Sequence, residues 1–128
     1  MPILKIYGIP IEMSGGLDEL VIMLKKRISS IKELGLNEDQ ISCFFPSDLL
    51  EEGLGEEIIA FVDGLFKKPE RTKEVQDNLA EMVVATLYEF SKKAINFGST
   101  VHVQLIECIV KPFDEQKHGI ASLTLRDS

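Results

Sequence analysis

IIAFVDGLFKKPERTKEVQDNLAEM, residues 58–82, is the stretch that decides how this chain folds. Its opening run, Ile58–Phe66, is apolar, β-branched and aromatic, which is the composition of a strand. KKPERT at 67–72 breaks that run with proline and charge. Beyond the break, Val75, Leu79, Met82, Val83, Thr86, Leu87 and Phe90 recur at helical spacing, with Thr72 placed to cap the helix start. Phe97-Gly98-Ser99 then turns the chain into a further strand, Val101–Val110, and EQKHGIASL in the tail reads as a short edge strand. Strand, helix and strand in that order make a β-α-β unit.

The same order precedes it. Ile3–Ile9 is a short β-branched strand closed by Gly8 and Pro10. Ser14-Gly15-Gly16 breaks the chain before a helical stripe of Leu17, Leu20, Val21, Leu24, Ile28 and Ile31. Gly35 is expected to end that helix, with Lys32 in its last turn where a cation suits the dipole. Ile41–Phe45 is a second strand, stopped by Pro46-Ser47-Asp48, and LLEEGLGEE is a turn-rich connection to the second half. The pattern is a weak repeat with a period of roughly 55 to 60 residues.

These elements predict an α+β fold in one domain spanning residues 1–128, with a pseudo-repeat of 1–48 and 56–112 and a tail at 113–128. The two units form a four-stranded mixed sheet with both helices on one face. Strands such as ISCFF and VHVQLIECIV are apolar on both sides, and a chain of 128 residues has no third layer to cover the far face. A homo-oligomer with sheet packed on sheet is therefore expected.

Composition narrows the function. The content is 45% hydrophobic and 27% charged, ordinary for a soluble globular protein, and a cytoplasmic location is the default expectation. The formal net charge is -7, which argues against non-specific nucleic-acid binding and against docking on anionic lipid. A small anionic substrate needs a local basic cluster. No apolar run is of membrane-spanning length. Cys43 and Cys108 each lie in an apolar run and read as buried, reduced thiols; nothing in their spacing makes a metal site. No P-loop, GxGxxG or nucleophile-triad spacing is present, so no cofactor is implied.

Pro2 raises a separate question. Proline is tolerated at the first residue of a strand because no donor is needed there. It also has chemistry. If Met1 is trimmed, Pro2 is left as a secondary amine, which acts as a general base once desolvation and nearby cations favour its neutral form. Leu4, Ile6 and Phe66 are candidate apolar walls, and Lys67, Lys68 and Arg71 a candidate source of positive charge.

Three matches together resemble the tautomerase superfamily, the fold of macrophage migration inhibitory factor and 4-oxalocrotonate tautomerase. They are MP leading directly into a strand, AFVDGLFKKPERTKEVQDNLAEM at 60–82, and VHVQLIE at 101–107 with the KHGI tail. In character and length the chain is most similar to 5-carboxymethyl-2-hydroxymuconate isomerase. The resemblance implies a trimer with pockets around Pro2 near subunit boundaries, and proton transfer between carbon and oxygen of a dienol or α-keto acid. It implies Pro2 as catalytic base, and Arg71, in the turn before the second helix, as the group that binds a substrate carboxylate. A guanidinium and a helix start suit that task. Phe66 is a candidate apolar wall. Lys68, like Lys67, reads first as a surface charge, with one of the two as a candidate to attract an anion. His102 reads first as a structural imidazole on a packed strand, with donation to a carbonyl as its alternative. His118 is read as a tail residue. The chain departs from the isomerase pattern in two places: GIPIEMSGG has no arginine or lysine, and ISCFF has no arginine nearby. With fewer carboxylate clamps than the isomerase pattern, a doubly charged substrate of the classical type is not expected.

Three functional expectations follow. One is a cofactor-independent tautomerase or isomerase. Another is a non-enzymatic trimeric binding or scaffold protein that keeps the fold. The last is an unrelated ferredoxin-like regulatory module, which shares the element order.

Overall fold

The computed structural model describes residues 2–47, 57–96 and 105–113. Strand β1 spans Ile3–Tyr7, helix α1 Leu17–Ser29, β2 Ser42–Phe44, β3 Glu57–Phe66, α2 Lys73–Asn96 and β4 Leu105–Phe113. The sheet order is β2-β1-β3-β4. β1 and β2 are parallel neighbours, as are β3 and β4, and the two pairs meet where β1 runs antiparallel to β3, with Ile3 opposite Asp63 and Tyr7 opposite Ile59. This is the α+β arrangement of two β-α-β units in one mixed sheet. It rules out the ferredoxin-like alternative, whose β-α-β units are split by an intervening strand.

Alternation along the strands builds the core. Leu4 and Ile6 of β1 and Ile58, Ala60 and Val62 of β3 are buried, while their sequence neighbours lie on the other face. The helices cover the buried face with Leu20, Leu24 and Ile28 from α1 and Val75, Leu79, Val83 and Leu87 from α2. The stripe read at 75–90 is the buried stripe, and the Thr72 hydroxyl accepts the Val75 N–H at 3.3 Å as the expected cap.

Two glycines fit places where a side chain would not. Gly8, at φ +86°, ends β1 against β3 so closely that a Cβ would collide with the Glu57 carbonyl oxygen. Gly64, at φ 77°, lies in a bulge: two residues of β3, Asp63 and Gly64, stand opposite the single β4 residue Lys111 between the Val62–Val110 and Leu65–Pro112 pairs. The extra residue restores the inward phase, so that Leu65 is buried like Val62.

Several boundaries differ from the sequence expectation. α1 stops at Ser29 rather than at Gly35, because the hydroxyls of Ser29 and Ser30 donate back to the carbonyls of Lys26 and Arg27. Gly35 instead closes a separate 3-10 turn, Lys32–Leu34, and the cations in the last turn of α1 are Lys26 and Arg27. Ser14-Gly15-Gly16 is not a break but the end of a 3-10 turn, Ile11–Gly16, running straight into α1. β1 ends at Tyr7, before Ile9, and β2 is only Ser42–Phe44. The cysteines are free but half-buried rather than fully so. The expected turn at Phe97-Gly98-Ser99, the strand residues 101–104, most of the 49–57 connection and the tail strand lie outside the described residues. Among those described, no helix is long and apolar enough to cross a membrane.

Candidate functional site

The site forms at the end of the sheet where β1 begins and β3 finishes. Ile3 pairs with Asp63, so Pro2 enters the sheet at the level of the Gly64 bulge. Pro2 is buried, and its carbonyl accepts the Ser42 N–H at 3.2 Å. From the same end, β3 runs out at Phe66 into the 67–72 loop that leads to α2. The strand register brings the two together; their separation of more than sixty positions along the sequence does not.

Arg71 is the most constrained side chain of that loop. It is only 7% exposed. Its Nη1 donates to the Phe66 carbonyl at 2.7 Å, while Nη2 and Nε both donate to the Leu34 carbonyl at 2.6 and 3.2 Å. The guanidinium thus ties the end of β3 to the 3-10 turn after α1. Three of its five N–H groups are used. No carboxylate among the described residues forms an ion pair with it. Burial pushes its pKa below the ordinary arginine range, with neighbouring Glu70 opposing the shift. A buried positive charge held by carbonyl dipoles, with Glu70 acting on it without forming an ion pair, is costly unless an anion arrives.

The remaining loop residues shape an open depression of about 420 Å³ lined by Lys67, Lys68, Pro69, Arg71 and Gln76. Lys67 and Lys68 are exposed at its rim. Gln76, which the sequence did not single out, donates from Nε2 to the Arg71 carbonyl at 3.1 Å and so holds the loop against the first turn of α2. That helix start is partly occupied by its own Thr72 cap, leaving less of it for a ligand than the sequence suggested. Leu34 is the other residue the sequence missed; the only local sign was Gly35, whose φ of 63° turns the chain just after it.

The register puts Pro2 and Phe66 at the end of the sheet from which the loop carrying Lys68 and Arg71 departs, but Pro2 and Phe66 are not among the residues that line the depression. Leu4 and Ile6, read as pocket walls, are instead core residues beneath the helices, each 1% exposed. His102 lies outside the described residues. The first described residue of β4, Leu105, pairs with Glu57 at the opposite end of β3 from Pro2. No group of acidic, histidine and cysteine side chains among the described residues is arranged to hold a metal ion.

Two unsplit β-α-β units in one mixed sheet define the class of architecture, and solved structures share that fold. A fused 4-OT in an asymmetric trimer aligns over 98% of this chain and 97% of its own, with TM-score 0.58 and 14% identity. A protein of unknown function from Vibrio cholerae O1 biovar eltor aligns over 94% and 84%, with TM-score 0.55 and 15% identity. A protein inactivated by 2-oxo-3-pentynoate aligns over 94% and 91%, with TM-score 0.55 and 12% identity. No family model and no curated protein matches the sequence. The chain therefore has the tautomerase fold, as the residue matches implied. At these identities the likeness is one of fold, and it does not separate the 5-carboxymethyl-2-hydroxymuconate isomerase branch from the others.

Proposed function

We propose that this protein is a cofactor-independent tautomerase or isomerase that moves a proton in a small enol or unsaturated keto acid. The observation that carries this reading is Arg71: a buried cation with unused donors and no described carboxylate partner, at the sheet end where Pro2 enters. Arg71 holds the substrate carboxylate through its two remaining N–H groups, and Lys68 attracts the anion from the rim. Once Met1 is removed, the Pro2 nitrogen accepts the enol hydroxyl proton as the carbonyl forms, then delivers a proton to carbon. The proton count balances within the site. Phe66 supplies apolar surface, and His102 of a neighbouring subunit is a candidate for the carbonyl donor. The assembly is a homotrimer, as in the fused 4-OT relative, so that subunit packing closes an otherwise open depression.

The alternative is a trimeric binding or scaffold protein with the same fold. It is favoured by the use of three Arg71 donors on backbone carbonyls, which is a structural task. One experiment separates the two: intact mass of the purified protein together with ketonisation of phenylenolpyruvate. The tautomerase is expected to lack Met1, to turn over the enol, and to lose about 10²- to 10⁴-fold in rate as Pro2→Ala, the usual worth of a general base. Retained Met1 with no turnover, or full turnover by Pro2→Ala, overturns it.

A further inference from the structure

The sheet face turned away from the helices carries three charged side chains with no ion pair among the described residues: Glu57, Glu107 and Lys111. Ile106, Cys108 and Val110 pack on the core, so strand alternation puts Glu107 and Lys111 of β4 on the opposite face. Lys111 lies opposite the Asp63–Gly64 bulge, between the Val62–Val110 and Leu65–Pro112 pairs. The nearest carboxylate in that row is already taken: Asp63 is paired with Lys5 at 3.0 Å. Within one chain Lys111 Nζ is shielded from solvent and has no hydrogen-bond partner among the described residues, so its flexible stem must swing outward to meet a partner's carboxylate. Glu107 is exposed and forms no ion pair among the described residues. The two cannot satisfy each other, because four strand residues separate their Cα atoms by roughly 13 Å.

Beside these charges and the Lys5–Asp63 pair, the face presents exposed apolar side chains. Phe44 is 53% exposed, Leu105 41% and Tyr7 37%. A partner for this face must offer apolar area and a carboxylate reaching Lys111. A second copy offers both, and it offers a cation to Glu107 at its other end. We propose that, when sheets pack in the oligomer, Lys111 of one copy pairs with Glu107 of the next, and that this pair fixes the register of the assembly. In a closed three-fold ring one such pair stands at every junction, Lys111 of each copy facing Glu107 of the next. It rests on the trimeric assembly proposed above and adds the contact that sets its geometry.

Sedimentation equilibrium of the full chain tests this with Lys111→Glu, Glu107→Lys and the double variant. Wild type is expected to be a trimer, each single reversal to weaken association by at least about 10-fold, and the double reversal to recover most of that loss, as coupled charge pairs do across interfaces. A wild-type trimer with single variants that assemble normally, or a double variant no better than the singles, overturns the pair and leaves the trimer standing. A monomeric wild type overturns the assembly itself. Should circular dichroism show the reversals unfolded, Lys111→Met and Glu107→Gln replace them. Their combined loss is then expected to be smaller than the sum of the single losses, and an additive result overturns the pair.

Discussion

Replacing Arg71 by methionine keeps much of the side-chain volume and removes the guanidinium. Two carbonyl acceptors, Leu34 and Phe66, then lose their donors, and Leu34 belongs to a residue only 1% exposed. An unsatisfied buried acceptor costs about 1–3 kcal/mol, so two would set a ceiling of about 6 kcal/mol, which the half-buried Phe66 carbonyl keeps well out of reach. Removing a buried cation returns part of that, since its own desolvation disappears. The expected net loss is about 3 kcal/mol, which at a urea slope of about 2 kcal/mol/M moves the midpoint down by about 1.5 M. Arg71→Lys should fall between the two, because an ammonium is a point donor and cannot fork to carbonyls on both sides. The assay is urea unfolding followed by far-ultraviolet circular dichroism, at one fixed protein concentration so that subunit dissociation does not enter the comparison. A midpoint for Arg71→Met within about 0.2 M of wild type, beyond the scatter of such fits, would refute the view that this arginine braces the site. A stable Arg71→Lys protein that has lost turnover would assign the residue to substrate instead.

Two further outcomes are expected. Gly8→Ala forces a side chain onto the Glu57 carbonyl at a positive φ, and thermal unfolding should show a loss above about 1 kcal/mol, whereas Gly15→Ala meets open space and should stay near wild type. Burial pushes the Cys108 thiol up to about 12 from 9.0. The unfolded thiol ionises first, so its contribution falls as pH rises from 9.0 toward about 12 and is constant below that window. Cys108→Ala should flatten that alkaline fall relative to wild type, and the native thiol should resist a disulfide reagent at pH 8 until urea unfolds the chain.

The second half was the more legible part of the fold. Its helix has a long apolar stripe, a capping threonine and a preceding proline break, and each signal agrees with the others. The first half was harder. The stripe from Leu17 to Ile31 outlasts the helix, because the hydroxyls of two adjacent serines compete for its last carbonyls. Of the site, Pro2 and Arg71 were visible as residue types, and their meeting at one sheet end follows from the β1–β3 register. The state of Arg71 was not visible. Its principal acceptor lies 37 positions away in a turn whose only mark is one glycine.

The sequence by itself determined two β-α-β units, the apolar stripes of their helices, and a basic loop ahead of the second helix. Those properties follow from side-chain period and local backbone preference, which act over a few residues. Tertiary structure decided that β1 runs antiparallel to β3, that a bulge at Gly64 rephases Leu65, that Arg71 is braced by distant carbonyls, and that Lys111 is left unpaired. Each depends on groups brought together from distant parts of the chain, and hydrogen-bond partners at that range leave no period to read.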